Sequence, residues 1–140
     1  MSKRDKELFL LDSIVAIAKI KNVAARFKNP EDLKHDFVSW DSVVREFQII
    51  GEATRQLIAL DVFGPDKRAI VDFRNVLVHE YFGIDAEELW GVIYEHLNTL
   101  QARLAETFTA IATDKDTYLE QAIAENAHLD FVTDILKDLR

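Results

Sequence analysis

Residues 36–60 read DFVSWDSVVREFQIIGEATRQLIAL. Phe37, Trp40, Val44, Phe47, Ile50, Thr54 and Leu57 recur in steps of three and four, the period of one face of a helix and not the alternation of a strand. The run predicts a long amphipathic helix, most regular from Asp36 to Leu60, in a helical region that begins near Glu31. Gly51 sits inside it. An interior glycine costs about 1 kcal/mol relative to alanine, so its presence predicts a close crossing with a second helix.

The same period extends outward in both directions. Upstream, Leu8, Leu11, Val15 and Ala18 form a stripe that reaches Asn22, widened by Ile14 and Ile17, and predict a helix from about Asp5 to Phe27. Asn29-Pro30 marks the turn, with proline suited to the first turn of the helix that follows. Downstream, Phe63-Gly64-Pro65-Asp66 reads as a stop and restart, with Gly64 as the residue that closes the long helix and Asp66 as a new cap. A shorter third helix presents Ala69, Ile70, Phe73, Val76 and Leu77. Asp85, with Glu88 three residues on, opens a fourth helix that continues through Leu89, Ile93, Leu97, Leu100, Leu104 and Phe108. Thr113-Asp114-Lys115-Asp116 interrupts the pattern, and Leu119, Ile123, Leu129, Val132, Ile135, Leu136 and Leu139 carry the last helical segment. Two prolines and four glycines leave few turns for a β protein. The sum is an all-α bundle of about five helices, read as a single domain over 1–140, with 113–140 as a C-terminal helical extension.

Composition narrows the function. A chain of 140 residues without cysteine excludes disulfides and thiolate metal sites. His35, His96 and His128 show no metal-ligand spacing, so neither metal nor cofactor is expected. The net charge of −8 argues against broad, sequence-blind coating of nucleic acid but leaves room for a small basic site. Lys67, Arg68 and Arg74 form the one modest basic cluster. The basic start Met1-Ser2-Lys3-Arg4-Asp5-Lys6 precedes an apolar run that Asp12 ends after four residues, too short for a secretory core, and no stretch reaches the roughly 18 apolar residues of a membrane span. A cytoplasmic protein is expected. The aromatic residues Phe37, Trp40, Phe47, Phe73 and Trp90 fall at helical spacing and read as core.

The polar chemistry concentrates in Arg74-Asn75-Val76-Leu77-Val78-His79-Glu80-Tyr81. A fixed cation and a group that titrates near neutrality can together move a proton and steady a charged phosphorus centre. Histidine could take the proton of a 2′-OH or return one to a leaving 5′-oxygen, and arginine could grip the phosphate in a bidentate fashion. A 2′-OH nucleophile would restrict the substrate to RNA. Asn75 and His79 share a face, and Asn75 could orient the imidazole. Arg74 and His79 do not: five residues place them about 140° apart around a straight helix. Unwinding of the helix end, the long reach of arginine, or a site built from two chains about a two-fold axis would each bring them together. Equally, an arginine and a histidine near a helix end, beside Asp72 and Glu80, fit plain surface ion pairs.

The stretch from Arg74 to Asp85 resembles the R-x4-H-x-Y signature of the HepT-type HEPN family. Ile49-Ile50-Gly51-Glu52-Ala53 is similar to that family's IIGEA helix, and Leu89-Trp90 with Ile93 to its W-x-x-I helix start. The three segments occur in family order and span about residues 36–100. The resemblance implies a helical HEPN domain that forms a two-fold homodimer, with an arginine and a histidine meeting in a cleft at the interface. It implies a metal-independent endoribonuclease toxin, paired with an MntA-type minimal nucleotidyltransferase antitoxin that transfers AMP onto the motif tyrosine. Carried over, the catalytic pair is Arg74 and His79, Asn75 supports it, and Tyr81 is the AMP acceptor. Added phosphates beside Arg74 and His79 would occupy the place of an RNA phosphate. A non-catalytic HEPN binding module, or a scaffold for a nucleotidyltransferase, is the alternative. One departure stands out: many members carry Pro-Trp before the motif, where this chain has Pro65-Asp66-Lys67-Arg68. The RNA target, the number of AMP units and the role of 113–140 are not written in the sequence.

Overall fold

A computed structural model describes residues 5–79 and 83–140, the side chains of 76–79 excepted. Every regular element among the described residues is helical: α1 (Lys6–Ala24), α2 (Pro30–His35), α3 (Phe37–Ala59), α4 (Arg68–His79), α5 (Ala86–Glu95), α6 (Leu97–Ile111), α7 (Lys115–Glu125) and α8 (Asp130–Lys137), with a 3-10 turn over Pro65–Lys67. The all-α expectation holds. The five predicted regions become eight helices because three of them divide, at Asp36, at His96 and between Asn126 and Leu129. Asp36 adopts an extended conformation and its carboxylate accepts from Ser39 N at 3.2 Å, so a good cap restarts the chain where apolar spacing alone predicted continuity. At His96 the backbone still donates to Val92 O and accepts from Leu100 N, so the rod kinks without ending.

α1 is the central rod. Leu10, Leu11, Ile14, Ala16, Ile17, Ala18 and Ile20 are all buried, which no single stripe would require. A helix apolar on nearly every side belongs in the middle of a bundle. Helix α3 packs along it on one side and α6 on another, with α7 and α8 against it as well. Helix α2 lies against α3 and α5. Lys21 Nζ fastens the end of α1 to α6 by donating to Asn98 Oδ1 at 2.6 Å and to Gln101 Oε1 at 3.3 Å. Leu119, Val132, Leu136 and Leu139 of the tail join the same continuous core. Residues 113–140 therefore extend the bundle, an association with α1 that no local pattern announced.

Two local expectations are corrected. Gly64 does not close α3: its φ of −82° is ordinary extended backbone. Asp61 does so instead, at a left-handed φ of 60°. Val62 N then donates to Leu57 O at 2.9 Å and Asp61 N to Ile58 O at 3.0 Å, the paired closure that satisfies the last carbonyls of a helix. Phe37, read as core, is 74% exposed, because α3 begins at that residue and its first turn overhangs the bundle. Asp85 caps α5 as its sequence suggested, accepting from Glu87 N and Glu88 N, and Asn29, read only as part of a turn, caps α2 by accepting from Asp32 N.

The junction between α6 and α7 is tied to the start of α1 through a buried carboxylate. Glu7 is 2% exposed, and its Oε2 accepts from both the backbone N and the Oγ1 of Thr113 at 3.0 Å. Burial alone would raise its pKa, but the two Thr113 bonds and the Lys6 charge outweigh it and hold the carboxyl below its usual range.

Candidate functional site

Helix α4 crosses α3 at Gly51. A Cβ added there would stand 2.1 Å from Arg74 Cβ and 2.5 Å from its Cγ, so the crossing exists only because position 51 lacks a side chain. The close approach predicted from the cost of an interior glycine is thus present, and the group it admits is the stem of Arg74. Phe73, next to it, meets Phe47 of α3 edge to face at a centroid distance of 5.3 Å, fixing the roll of α4 on its neighbour.

The crossing leaves Arg74 half-buried, with Nε shielded from solvent and without a partner among the described residues. Nη1 donates to Asn75 Oδ1 at 3.0 Å. Nη2 faces Glu52 Oε2 at 3.8 Å, across the helix crossing. The sequence had offered Asp72 and Glu80 as surface partners. Asp72 is instead 3.7 Å from Arg68, and Glu80 lies outside the described residues.

Glu52 is held chiefly by its own helix. Arg55 Nη2 donates to Oε1 at 2.6 Å and Arg55 Nε to Oε2 at 3.3 Å, and Gln56 Nε2 reaches Oε1 at 3.5 Å. The Arg55 hydrogen bonds are the main reason its pKa lies below the usual carboxylate range; burial opposes them, while Gln56 and the charges of Arg55 and Arg74 assist. Along the sequence Glu52 stood out only as part of the segment 49–53, and Arg55 was passed over. The spacing of three makes their pairing legible in retrospect; the pairing of Glu52 with Arg74 is not, since 22 positions separate them.

Of the expected site residues, Arg74 and Asn75 are brought into contact. The backbone of α4 continues through His79, so the helix does not unwind before it and the two motif positions keep their separation of about 140°. The side chain of His79 and the whole of Tyr81 lie outside the described residues. Each member of the basic cluster sits near a carboxylate: Lys67 at 3.4 Å from Asp66, Arg68 at 3.7 Å from Asp72, and Arg74 as above. Among the described residues, no three histidine, aspartate or glutamate side chains gather as a metal site would need, and no helix is long and apolar enough to cross a membrane.

Two grooves flank the crossing. One, of about 750 Å³, runs between α1, α3 and α7 past Lys19, Arg45, Glu46 and Glu52. The other, of about 640 Å³, lies between α3, α4, α5 and α6 and is walled by Phe47, Ile50, Ile70, Phe73 and Leu97. Arg74 lines neither.

With this arrangement in hand, the family described as "Ribonuclease HepT-like" matches residues 14–107, a span that holds the α3–α4 crossing. The chain belongs to the HepT-like ribonuclease family. It is 31% identical over 98 residues to "Putative RNase MJ1380" of Methanocaldococcus jannaschii, covering 68% of this chain and 89% of that one. It is 29% identical over 104 residues to "Probable ribonuclease HepT" of Thermococcus cleftensis, covering 72% and 94%. It is also 32% identical over 79 residues to "Putative RNase TTE0752" of Caldanaerobacter subterraneus, covering 54% and 70%. No solved structure matches the chain. As a HepT-type HEPN protein the chain is a ribonuclease by family, and the family match ends before α7.

Proposed function

We propose that the chain is a metal-independent endoribonuclease toxin that works as a homodimer, with Arg74 and His79 catalytic, Asn75 in support and Tyr81 as the acceptor of AMP from an MntA-type nucleotidyltransferase antitoxin. The observation that carries this reading is the seat of Arg74. A surface ion pair would not require an empty position 51, a shielded Nε and an amide clasp on Nη1. Those features restrict the guanidinium to few orientations, as a phosphate clamp needs.

In this mechanism the 2′-OH loses its proton to a base and its oxygen bonds to phosphorus. The P–O5′ bond breaks, and the departing oxygen takes up a proton. The products are a 2′,3′-cyclic phosphate and a 5′-hydroxyl. His79 serves the proton transfers and Arg74 neutralises the charge on the non-bridging oxygens. Asn75, accepting through Oδ1 from Arg74, keeps its NH2 as a donor for a further oxygen. The separation of about 140° between Arg74 and His79 favours a cleft completed by a second copy. AMP on Tyr81, two positions beyond His79, would bring negative charge to that cleft and block it.

Purified unmodified protein should cut RNA in the presence of EDTA and leave cyclic phosphate ends, and His79→Ala should abolish cutting. Activity that requires a divalent cation, or that survives His79→Ala, refutes the mechanism. Growth arrest that persists in His79→Ala would point to the binding-module reading. Co-expression with the partner should add AMP mass to the wild type and not to Tyr81→Phe; an unchanged mass refutes the silencing step.

A further inference from the structure

Glu52 faces two arginines and treats them differently. Its bonds to Arg55 are short, at 2.6 and 3.3 Å, whereas Arg74 Nη2 stands off at 3.8 Å. Arg55 is exposed, one turn along α3, and both its Nε and Nη2 are turned to Glu52. Arg74 is the partly buried, sterically fixed member of the trio. A carboxylate left alone with Arg74 would close on it in a bidentate fork, the preferred geometry of that pair. The phosphate-gripping edge of the guanidinium would then be occupied by the protein's own anion.

We infer that Arg55 is a positioning residue that diverts Glu52 from Arg74, so that Glu52 orients the guanidinium without neutralising it and leaves it free to take an RNA phosphate. The inference rests on the ribonuclease reading of Arg74. It assigns Arg55 and Glu52 of α3 a joint role in substrate capture. By Coulomb's law at an effective dielectric of about 20, closing the Glu52–Arg74 gap from 3.8 Å to about 2.8 Å would strengthen the hold roughly tenfold. Solvent screening at this half-exposed pair reduces that to about threefold to tenfold.

The test is a double-mutant cycle on RNA cleavage at fixed low salt. Arg55→Ala should lower kcat/KM about threefold to tenfold, and Arg55→Lys, which still pairs with Glu52, should stay near wild type. In the Glu52→Gln background, removing Arg55 should have little further effect, because no anion remains to close on Arg74. A loss from Arg55→Ala that persists undiminished in the Glu52→Gln background shows Arg55 contacting RNA itself and overturns the inference; so does the absence of any loss. The Nε–Hε resonance of Arg74 in a ¹⁵N spectrum reads the same coupling without catalysis. It should move in Arg55→Ala and not in the added step from Glu52→Gln to the double variant. If the wild type cuts no RNA, the ribonuclease reading fails on that ground alone, while an unmoved Arg74 resonance overturns the coupling of Glu52 to the two arginines.

Discussion

Replacing Gly51 with alanine tests the link between helix packing and site in a single methyl group. On helix propensity alone, alanine should stabilise α3 by about 1 kcal/mol. The crossing opposes this. The new Cβ would stand 2.1 Å from Arg74 Cβ, where ordinary contact needs about 3.6–4 Å, so the helices must part by roughly 1.5 Å. Arg74 Cβ is fixed to its backbone and cannot swing aside, which places the overpacking cost near the upper end of the ~1–3 kcal/mol range. The net expectation is destabilisation of about 2 kcal/mol, or a fall in Tm of roughly 4–8 °C. Displacing Arg74 by an ångström should cost activity on the order of 100-fold, well beyond what partial unfolding would explain. Thermal melts by circular dichroism and RNA cleavage well below Tm separate the two effects. Gly91→Ala is the control: inside α5, its Cβ would meet nothing closer than Glu95 Oε2 at 4.0 Å, so propensity alone should act and stability should rise by up to about 1 kcal/mol. A Gly51→Ala protein that melts higher than wild type and cuts RNA normally would refute the reasoning.

Further outcomes follow from three single residues. Glu7→Ala removes the buried carboxylate that accepts both bonds from the exposed Thr113 and should cost about 1.5–3 kcal/mol in denaturant unfolding, the range for bonds to a charged group. Because the Glu7 carboxyl is held below its ordinary 4.5, its contribution is present above that pH and lost as pH falls through the lower folded value, so the acid limb of a stability–pH curve should flatten in Glu7→Gln. Glu46, 8% exposed and pushed upward by burial against the opposing charges of Lys19 and Arg45, has the opposite sign: its favourable neutral form is lost as pH rises through the folded value, so Glu46→Gln should raise Tm at about pH 7 and change it little at about pH 4. Asp61→Gly should stabilise by about 0.5–1 kcal/mol in denaturant unfolding, since glycine adopts the left-handed closure of α3 without a Cβ penalty.

What was legible in the sequence was local. The apolar stripe of α3, the turn at Asn29-Pro30, the cap at Asp85 and the implication of Gly51 each depend on residues within a few turns of one another. The misreadings are also local rules that other interactions overrode. Gly64 is the residue that a helix-closing pattern selects, yet Asp61 reaches the left-handed region because Val62 and Asp61 can then satisfy Leu57 and Ile58. Phe37 fits the stripe by spacing but precedes the first buried turn. Among the candidate site residues, the sequence named Arg74 and its neighbour Asn75, and the structure shows a hydrogen bond between them. It did not reveal that Arg74 answers to Glu52, or that Glu7 answers to Thr113, because such pairings are decided by how helices dock and leave no period along the chain. The family motifs succeeded where spacing could not, since they bind the α3 and α4 segments into one pattern.

The central place of α1 sets the order in which this protein can come into being. Helix α1 precedes most of its partners along the chain: Glu7 finds its partner at residue 113, and part of the apolar surface of α1 is covered only by α6, α7 and α8. Its burial therefore waits on loops of a hundred residues or so, the slow kind of closure. A chain cut before α6 would still lay α3 along α1 but would leave bare the sides of that rod that α6, α7 and α8 cover. The helix at the centre of the bundle is the last to be enclosed.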